Sequence, residues 1–302
     1  MLKQVLIIAN PASGKGLAQE YADKLRQVIE EVYQAQVEVR STEGLGDAIR
    51  WSKSATDNGF DTVLCLGGDG TVNETVQGLM LAEERPYFGF VPLGTVNDLG
   101  RALGYDMNPD CAIEQYRNVQ TVPLDIASVN DRYFMNVLAI GSIPEAVMNT
   151  DSDDKNRLGF LAYVKDAVGK VLGDNSYHLE IEDSQGNVMQ LETDLLIAGL
   201  TNSVGGYEEM FSFADYDDGL LHLAAVKGSS LVDYAKVALE GGVQEEGETD
   251  NLFVLSDHAM KIRSLNAEDE IASNIDGDEG PTLPLELMVI KHALKVIVPK
   301  EQ

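Results

Sequence analysis

The chain has 302 residues, of which 50 are Asp or Glu and 22 are Lys or Arg, so its formal net charge at pH 7 is −28. This charge argues against nucleic-acid binding and against simple electrostatic docking on an anionic membrane leaflet, because phosphates of either kind would be repelled. The two cysteines, Cys65 and Cys111, give no disulfide framework and suit a reducing cytoplasm. The apolar runs are too short for a signal peptide or a membrane span, so we expect a soluble, cytoplasmic protein.

The first 124 residues alternate short apolar runs with helical patterns, which predicts parallel βαβ units. The predicted strands are Gln4–Ala9 and residues 36–40, 61–66 and 87–91. Helical spacing of apolar side chains predicts helices over residues 17–33 and 72–81. In a parallel sheet the carboxyl ends of the strands meet at one edge, and ligands bind at that edge.

A glycine-rich polar loop follows three of these strands, at residues 10–16, 67–71 and 92–98. The strongest signal is the second loop, Gly67-Gly68-Asp69-Gly70-Thr71. Its glycines let the backbone approach a bulky anion, and the helix N-terminus beyond it offers N–H donors. A carboxylate among those donors fits Mg²⁺ beside phosphate. The loops therefore predict a protein that binds a nucleoside triphosphate and transfers a phosphoryl group.

Two residue pairs near the predicted helix starts have the spacing of a capping box. Thr71 with Glu74, and Thr95 with Asp98, each place a hydroxyl three residues before a carboxylate. This spacing predicts that both threonines cap their helices and that Glu74 has a structural role. It also predicts that Asp69 lies in the loop before the cap.

The three loops together resemble the diacylglycerol kinase catalytic domain, and more closely the soluble bacterial diacylglycerol and lipid kinases. The matching segments read N-P-x-S-G-K-G, G-G-D-G-T-x-N-E and P-x-G-T-x-N-D-x-x-R, in this order. G-G-D-G alone is shared with NAD kinases and phosphofructokinases, and the P-L-G-T-V-N-D segment separates the lipid-kinase branch. The resemblance covers nearly the whole chain and implies ATP, Mg²⁺ and a hydroxylated lipid substrate.

The leading reaction that the resemblance implies is phosphorylation of diacylglycerol to phosphatidic acid, a step of phospholipid biosynthesis. Another hydroxylated lipid, such as phosphatidylglycerol or a sphingoid-type base, is the first alternative. A nucleotide-binding regulator with weak or no catalysis is the second, and NAD kinase activity is a lesser one. A lipid substrate implies transient, peripheral contact at the inner membrane face, and a homodimer is left open.

The family fold implied is α/β with two domains. We expect an N-terminal three-layer, Rossmann-like parallel-sheet domain of the NAD kinase/diacylglycerol kinase type over residues 1–124, rejoined by residues 294–302. A C-terminal, mostly antiparallel β-sandwich domain over residues 125–293 would carry the lipid substrate and the base. Its predicted strands are residues 125–129, 132–138, 176–183, 188–200, 220–226, 258–264 and 283–289. Helices are predicted at residues 158–172 and 230–239, and the first of these either lines a lipid pocket or packs in the core.

The resemblance also assigns a nucleotide site. Backbone donors would come from the first two loops, and Thr42 and Thr95 would complete the site. The loop residues are Asn10, Pro11, Ala12, Ser13, Gly14, Lys15, Gly67, Gly68, Asp69, Gly70, Thr71, Val72 and Asn73. Lys15 is either a point charge for phosphate or a solvent-facing lysine. Asp69 and Asp98 would join a network of metal and water beside the transferred phosphate.

The base that accepts the hydroxyl proton is expected in the second domain. The family pattern there is Asp-Gly-Glu, and this chain has Asp276-Gly277-Asp278-Glu279. Asp276 matches the family Asp, and Asp278 takes the position of the Glu with a side chain one methylene shorter. Asp278 is the first choice for the base, helped by Asp276, and Glu279 is a substitute. The alternative is that Asp276-Gly277 has only a structural role, as a hairpin turn.

A second metal site is implied at the acidic segment that ends in Asp-Asp-Gly-Leu. The side chain of Asp218 and the backbone carbonyls of Asp215 and Leu220 would hold a structural Mg²⁺. The alternative is a solvated acidic loop, which is common in a chain this acidic.

Overall fold

The computed structural model describes residues 1–141, 176–193, 195–204, 210–227, 243, 246–249, 252–266 and 270–300. The predicted helices at residues 158–172 and 230–239 lie outside these ranges. Among the described residues the helices are α1 (Ala18–Tyr33), α2 (Asp47–Lys53), α3 (Asp69–Met80), α4 (Asp98–Ala102) and α5 (Pro109–Gln115), with a short 3₁₀ turn at Gly14–Gly16.

Strands dominate the described residues after α5. In chain order the strands of the described ranges are β1 (Gln4–Ala9), β2 (Gln36–Ser41), β3 (Thr62–Gly67), β4 (Tyr87–Pro92), β5 (Val119–Val129), β6 (Arg132–Phe134), β7 (Val137–Gly141), β8 (Tyr177–Asp183), β9 (Val188–Thr193), β10 (Leu195–Gly199), β11 (Leu221–Val226), β12 (Gly247–Glu248), β13 (Leu252–Asp257), β14 (Ala259–Ser264), β15 (Ala272–Ile275), β16 (Asp278–Thr282) and β17 (Leu285–Pro299).

The chain divides into two compact units. The first unit contains Met1–Ile126, Arg132–Met135 and the described residues from Ile290 onward. The second unit contains Ala127–Asp131 and the described residues from Asn136 to Val289. Strands β5 and β17 each contribute residues to both units.

The first unit is built on a parallel sheet in the order β2-β1-β3-β4-β17. Strands β1 and β3 are buried along almost their whole length, as expected for strands with neighbours on both sides and helices on both faces. The step from β1 to β2 runs opposite to the steps from β2 to β3 and from β3 to β4. Since parallel crossovers are right-handed, α1 lies on one face of the sheet and α2 and α3 lie on the other. The first unit therefore has the three layers that the sequence predicts.

Helix packing in this unit follows the apolar spacing of the sequence. Helix α1 buries Ala22, Leu25 and Ile29 along one stripe, and it also packs against α5. Helices α2 and α3 cross at Gly78, where an added Cβ would lie 2.0 Å from Ser52 Oγ. Only glycine permits this close approach between the two helices.

The second unit contains two antiparallel sheets. One sheet has the order β12-β13-β11-β10-β7-β15-β16, and the other joins the start of β17 to β14, β8 and β9. The first residues of β17 alternate between buried and exposed, as expected for a sheet with one face in the core. The antiparallel architecture predicted for this part of the chain is therefore confirmed.

Three strand predictions were wrong in continuity. Residues 188–200 form two strands, β9 and β10, which belong to different sheets, and residues 132–138 are likewise divided between β6 and β7. Conversely, residues 285–289 of the predicted strand at 283–289 continue as one strand, β17, into the segment at 294–302 that was predicted to rejoin the first domain. Apolar alternation does not mark these changes, because a strand that leaves one sheet for another keeps its side-chain pattern.

None of the helices in the described ranges is long and apolar enough to cross a membrane.

Candidate active site

The three glycine-rich loops lie at one edge of the first unit. They follow β1, β3 and β4, which are mutually parallel, so their carboxyl ends face the same way. Helices α1 and α3 leave the neighbouring strands β1 and β3 towards opposite faces of the sheet. This is the topological switch point at which open α/β sheets bind ligands.

The first loop is tied to the second by side-chain hydrogen bonds. The Asn10 side chain accepts from the Ala12 N–H at 3.0 Å and donates to Thr71 Oγ1 at 2.9 Å. Ser13 Oγ accepts from the Gly68 N–H at 3.3 Å. The backbone then takes positive φ at Lys15 (57°), which is exposed. Pro11 and Ala12 are exposed and Gly14 is half-buried, so the first loop presents backbone rather than large side chains.

The second loop enters α3 earlier than predicted. The helix begins at Asp69, its N-cap is Gly68, and no side chain caps it. The capping box predicted for Thr71 is therefore wrong, because the Thr71 hydroxyl is buried within the helix and accepts from Asn10. Glu74 instead accepts from the Gly46 N–H, which lies 3.2 Å from each of its carboxylate oxygens.

The glycines of this loop have different reasons to be glycine. A Cβ on Gly67 would lie 2.5 Å from Thr71 Cβ, and a Cβ on Gly68 would lie 3.3 Å from Gly94 Cα. A Cβ on Gly70 would meet nothing within 4 Å. Gly67 and Gly68 therefore serve packing within the protein, whereas Gly70 borders open space at the start of the helix.

The third loop is closed by Asn97. Its side chain accepts from the Gly94 N–H at 2.9 Å and donates to the Gly94 carbonyl at 2.9 Å. Asn97, with a φ of 55°, is the N-cap residue of α4, so the cap predicted at Thr95 is also wrong. Thr95 is exposed, and Asp98 begins α4 with only 5% of its surface exposed.

Asp69 is held where the second and third loops meet. Its Oδ2 accepts from the Asn97 N–H at 3.1 Å. Burial raises the pKa of this carboxyl above its ordinary value; the Asn97 N–H opposes that rise and the nearby Asp98 charge adds to it. Two carboxylates close together in a poorly solvated place are the kind of donor set that Mg²⁺ uses together with phosphate oxygens. The described residues contain no cluster of three or more side chains that could ligate a metal by themselves.

The other residues assigned to the nucleotide site take varied positions. Val72 and Asn73 are buried in α3, and Asn73 Oδ1 accepts from Gln77 Nε2 at 3.3 Å. Thr42 is half-buried, and its N–H donates to the Ala9 carbonyl at 2.9 Å. The structure thus brings Thr42 to the same edge as the loops, but it buries the side chains of Val72 and Asn73.

The predicted base lies on a hairpin of the second unit. Asp276 and Gly277, with φ of 51° and 95°, form the two-residue turn between β15 and β16. Oδ1 of Asp276 is buried and accepts from the N–H groups of Asn136 and Val137 at 3.0 and 2.9 Å. Asp278 is exposed at the start of β16. The turn is therefore real, and Asp276 also ties it to the neighbouring strand β7.

The predicted second metal site is a compact turn in the same unit. The Asp218 carboxylate accepts from the Asp215 N–H at 3.1 Å, the Leu220 N–H at 2.8 Å and His222 Nε2 at 3.0 Å. Burial acts to raise the pKa of Asp218, but these bonds outweigh it and hold the pKa below its ordinary value. Asp218 therefore stays ionised at neutral pH, as a metal ligand must.

Sequence reasoning gave His222 no role. His222 is buried, and its Nδ1 pairs with Ser256 Oγ at 2.9 Å. Its only signal in the sequence is its position four residues after Asp218.

The fold and the loops define a class: an α/β protein with an NAD kinase-like fold and polar, glycine-rich loops at its switch point. Comparisons with known proteins agree with this class. The family model for the diacylglycerol kinase catalytic domain matches residues 4–129. A diacylglycerol kinase of Bacillus subtilis is 32% identical over 304 residues, covering 100% of this chain and 98% of the relative. A Streptococcus pneumoniae protein provisionally named a lipid kinase is 31% identical, covering 99% of this chain and 100% of the relative.

Solved structures show the same fold. A provisionally assigned diacylglycerol kinase from Bacillus anthracis superposes with a TM-score of 0.80 at 25% identity, covering 98% of this chain and 97% of the other. A second diacylglycerol kinase structure from that organism gives a TM-score of 0.76 at 23% identity, covering 98% and 96%. The chain belongs to the diacylglycerol kinase family.

Proposed function

We propose that the protein is an ATP-dependent lipid kinase that transfers the γ-phosphate of ATP to the hydroxyl of diacylglycerol and releases phosphatidic acid. The observation that carries this proposal is the position of Asp69, a half-buried carboxylate at the N-terminus of α3 and in hydrogen-bond contact with the third loop. A carboxylate there disfavours folding, because its burial raises its pKa. Such a group is retained when it serves chemistry.

The first unit would bind the nucleotide. Backbone N–H groups of the first two loops and the first turn of α3 would contact its phosphates, with Lys15 as an added positive charge. Thr42 and Thr95 would contact the remainder of the nucleotide. Asp69 and Asp98 would hold Mg²⁺, which when bound offsets the charge on the phosphate oxygens.

The second unit would supply the base. The acceptor hydroxyl oxygen bonds to the γ-phosphorus, the bond to the β,γ-bridging oxygen breaks, and ADP leaves with that electron pair. The hydroxyl proton passes to a carboxylate, for which we propose Asp278, on the hairpin that Asp276 anchors to β7. The exposure of Asp278 and its place directly after the hairpin turn support this choice. Asp215, Asp218 and Leu220 would hold a second, structural Mg²⁺.

Two alternatives have specific support. One relative is named only by the wider class of lipid kinase, which is compatible with another hydroxylated lipid as the acceptor. The replacement of the family Glu by Asp278, one methylene shorter, supports a nucleotide-binding regulator with weak catalysis, because a misplacement of about 1 Å costs roughly a hundredfold in rate. For the kinase, we propose transient contact with the inner membrane face from the cytoplasm, by apolar groups rather than by charge, since the net charge is −28.

The deciding experiment is transfer of γ-labelled phosphate from ATP, with Mg²⁺, to diacylglycerol in mixed micelles. Phosphatidylglycerol, a sphingoid base and NAD are assayed in parallel. Labelled phosphatidic acid as the main product supports the proposal, and another labelled lipid replaces the substrate alone. Asp69→Asn, an isosteric control, should give no product. ATP binding without any product would favour the regulator.

A further inference from the structure

A leucine is exposed to solvent at the edge of the parallel sheet that carries the three loops. Leu45 lies in the connection between β2 and α2, and 98% of its surface is exposed. The glycines on either side are open as well, since a Cβ on Gly44 or Gly46 would meet nothing within 4 Å. An exposed leucine forgoes roughly 1.5–3 kcal/mol of burial free energy. Folding therefore gives no reason for leucine at this position.

The backbone on both sides of Leu45 is fixed. Before it, Asp47 Oδ2 accepts from the N–H groups of Glu43 and Gly44 at 2.9 and 3.3 Å, and these bonds lower the pKa of Asp47. After it, the Gly46 N–H lies 3.2 Å from each carboxylate oxygen of Glu74. The leucine is thus held at a defined place rather than carried on a free loop.

That place borders the open space at the start of α3. Glu74 accepts from the Gly46 N–H and lies four residues after Gly70 on α3. Gly70 and Glu74 therefore share one face of the helix. A Cβ on Gly70 would meet nothing within 4 Å. Leu45 therefore lies beside the same face of α3 whose first turn is open. Strand β2, which leads to Leu45, is two strands from β3, a separation of about 10 Å.

We propose that Leu45 contacts the purine ring of the bound nucleotide and helps to determine nucleotide affinity. The inference rests on the proposed function, which positions the phosphates at the loops after β1 and β3. A nucleoside extending from those phosphates towards β2 reaches a neutral, apolar side chain that can cover a flat aromatic ring.

The charges around Leu45 favour the purine over the other ligands at hand. The carboxylates of Glu74 and Asp47 both accept from backbone N–H groups of the loop, and Asp47 also accepts from Arg50 Nη2 at 2.8 Å. These carboxylates would repel phosphate groups, and they would repel an anionic membrane surface. The uncharged purine ring is the part of the nucleotide that these carboxylates would not repel.

The test compares binding of ATP with binding of inorganic triphosphate, which has the phosphates but no base, both with Mg²⁺. Leu45→Ser should weaken ATP affinity about tenfold and leave triphosphate affinity unchanged. Leu45→Met, which keeps an apolar side chain, should bind ATP as the wild type does. Leu81→Ser is the matched control, because Leu81 is 50% exposed but lies at the opposite end of α3.

Each other outcome overturns the inference in a recognisable way. Unchanged ATP affinity in Leu45→Ser removes the purine contact while leaving the proposed function intact. Equal losses for ATP and triphosphate would indicate a change in the loops rather than a lost ring contact. A loss confined to binding of phosphatidylglycerol vesicles would make Leu45 a lipid contact. Absence of ATP binding by the wild type would refute the proposed function and the inference together.

Discussion

The glycines of the loops provide the sharpest test of the site, because the structure separates those that pack from the one that faces open space. A Cβ on Gly94 would lie 2.7 Å from Asn97 Oδ1, 2.9 Å from Asp69 Oδ2 and 3.0 Å from Gly68 Cα. Two of these neighbours belong to the second loop and the third closes its own loop. Gly94→Ala should therefore force the two loops apart and displace the Asp69 carboxylate.

The size of this effect can be worked from the contacts. Overpacking a well-fitted site costs about 1–3 kcal/mol. Weakening the hydrogen bond from the Gly94 N–H to Asn97 adds about 1 kcal/mol. The sum, about 2–4 kcal/mol, corresponds to a fall in melting temperature of roughly 5–15 °C for a domain of this size. Kinase activity should fall with it, by about a hundredfold for a displacement of about 1 Å.

Gly70→Ala is the matched variant with the opposite stability prediction. Its methyl group meets no protein atom within 4 Å. Alanine is also the better helix residue, by up to about 1 kcal/mol, so the melting temperature should be unchanged or higher. If phosphate binds over this turn, the methyl group should reduce ATP affinity and turnover about a hundredfold.

Thermal unfolding without nucleotide and ATP binding by titration calorimetry measure the two effects separately. A Gly70→Ala variant with normal ATP affinity would refute the placement of phosphate at the first turn of α3. A Gly94→Ala variant as stable as the wild type would refute the packing argument.

Three further predictions concern carboxylates and helix packing. Asp69→Asn should abolish turnover and yet melt at an equal or higher temperature than the wild type at pH 7. Burial raises the pKa of Asp69, so ionising this carboxyl destabilises the folded protein. This cost is absent below the ordinary carboxyl pKa and grows as the pH rises towards the raised pKa. The melting temperatures of the wild type and of Asp69→Asn should therefore differ more at pH 7 than at pH 3. A difference that shrinks as the pH rises would contradict the direction of the pKa shift. Asp278→Glu should keep or raise turnover, and Asp278→Ala should lower it about a hundredfold. The melting temperature of Asp278→Ala should be unchanged, because the side chain is exposed. If Asp278→Ala keeps full activity and Glu279→Ala is inactive, Glu279 is the base. Gly78→Ala should destabilise the first unit by about 3 kcal/mol in urea titrations, since its Cβ would lie 2.0 Å from Ser52 Oγ, and a loss below about 1 kcal/mol would show that α2 moves away freely.

The sequence predicts the first unit well because parallel strands read as continuous apolar runs. Strands β1 to β4 were predicted to within one residue of their observed ends. The starts of α3 and α4 were predicted less well. Thr71 and Glu74 have the local spacing of a capping box, but Asn10, 61 residues away in the chain, takes the Thr71 hydroxyl. Such a long-range partner leaves no trace in local spacing, so the start of α3 could not be read from the sequence.

The same limit applies to the candidate site. The loop residues could be selected from the sequence because glycine and carboxylate types are informative by themselves. The burial of Asn73 and the display of Leu45 could not, because exposure depends on which elements pack nearby. The spacing of Asp218 and His222 was visible, but only their antiparallel strand context brings Ser256 opposite His222.

The loops are connected to one another by hydrogen bonds of the protein itself. Asn10 reaches Thr71, Ser13 reaches Gly68, and Asn97 reaches Asp69, so each loop is hydrogen-bonded to a neighbour. Gly67, Gly68 and Gly94 allow the close contacts within and between these loops, whereas Gly70 faces open space. A site fixed in this way need not reorganise when charge develops on a transferred phosphate, and this is the main physical source of catalysis by preorganised groups. Burial raises the pKa of Asp69, so ionising this carboxyl costs stability at the place where the second and third loops meet.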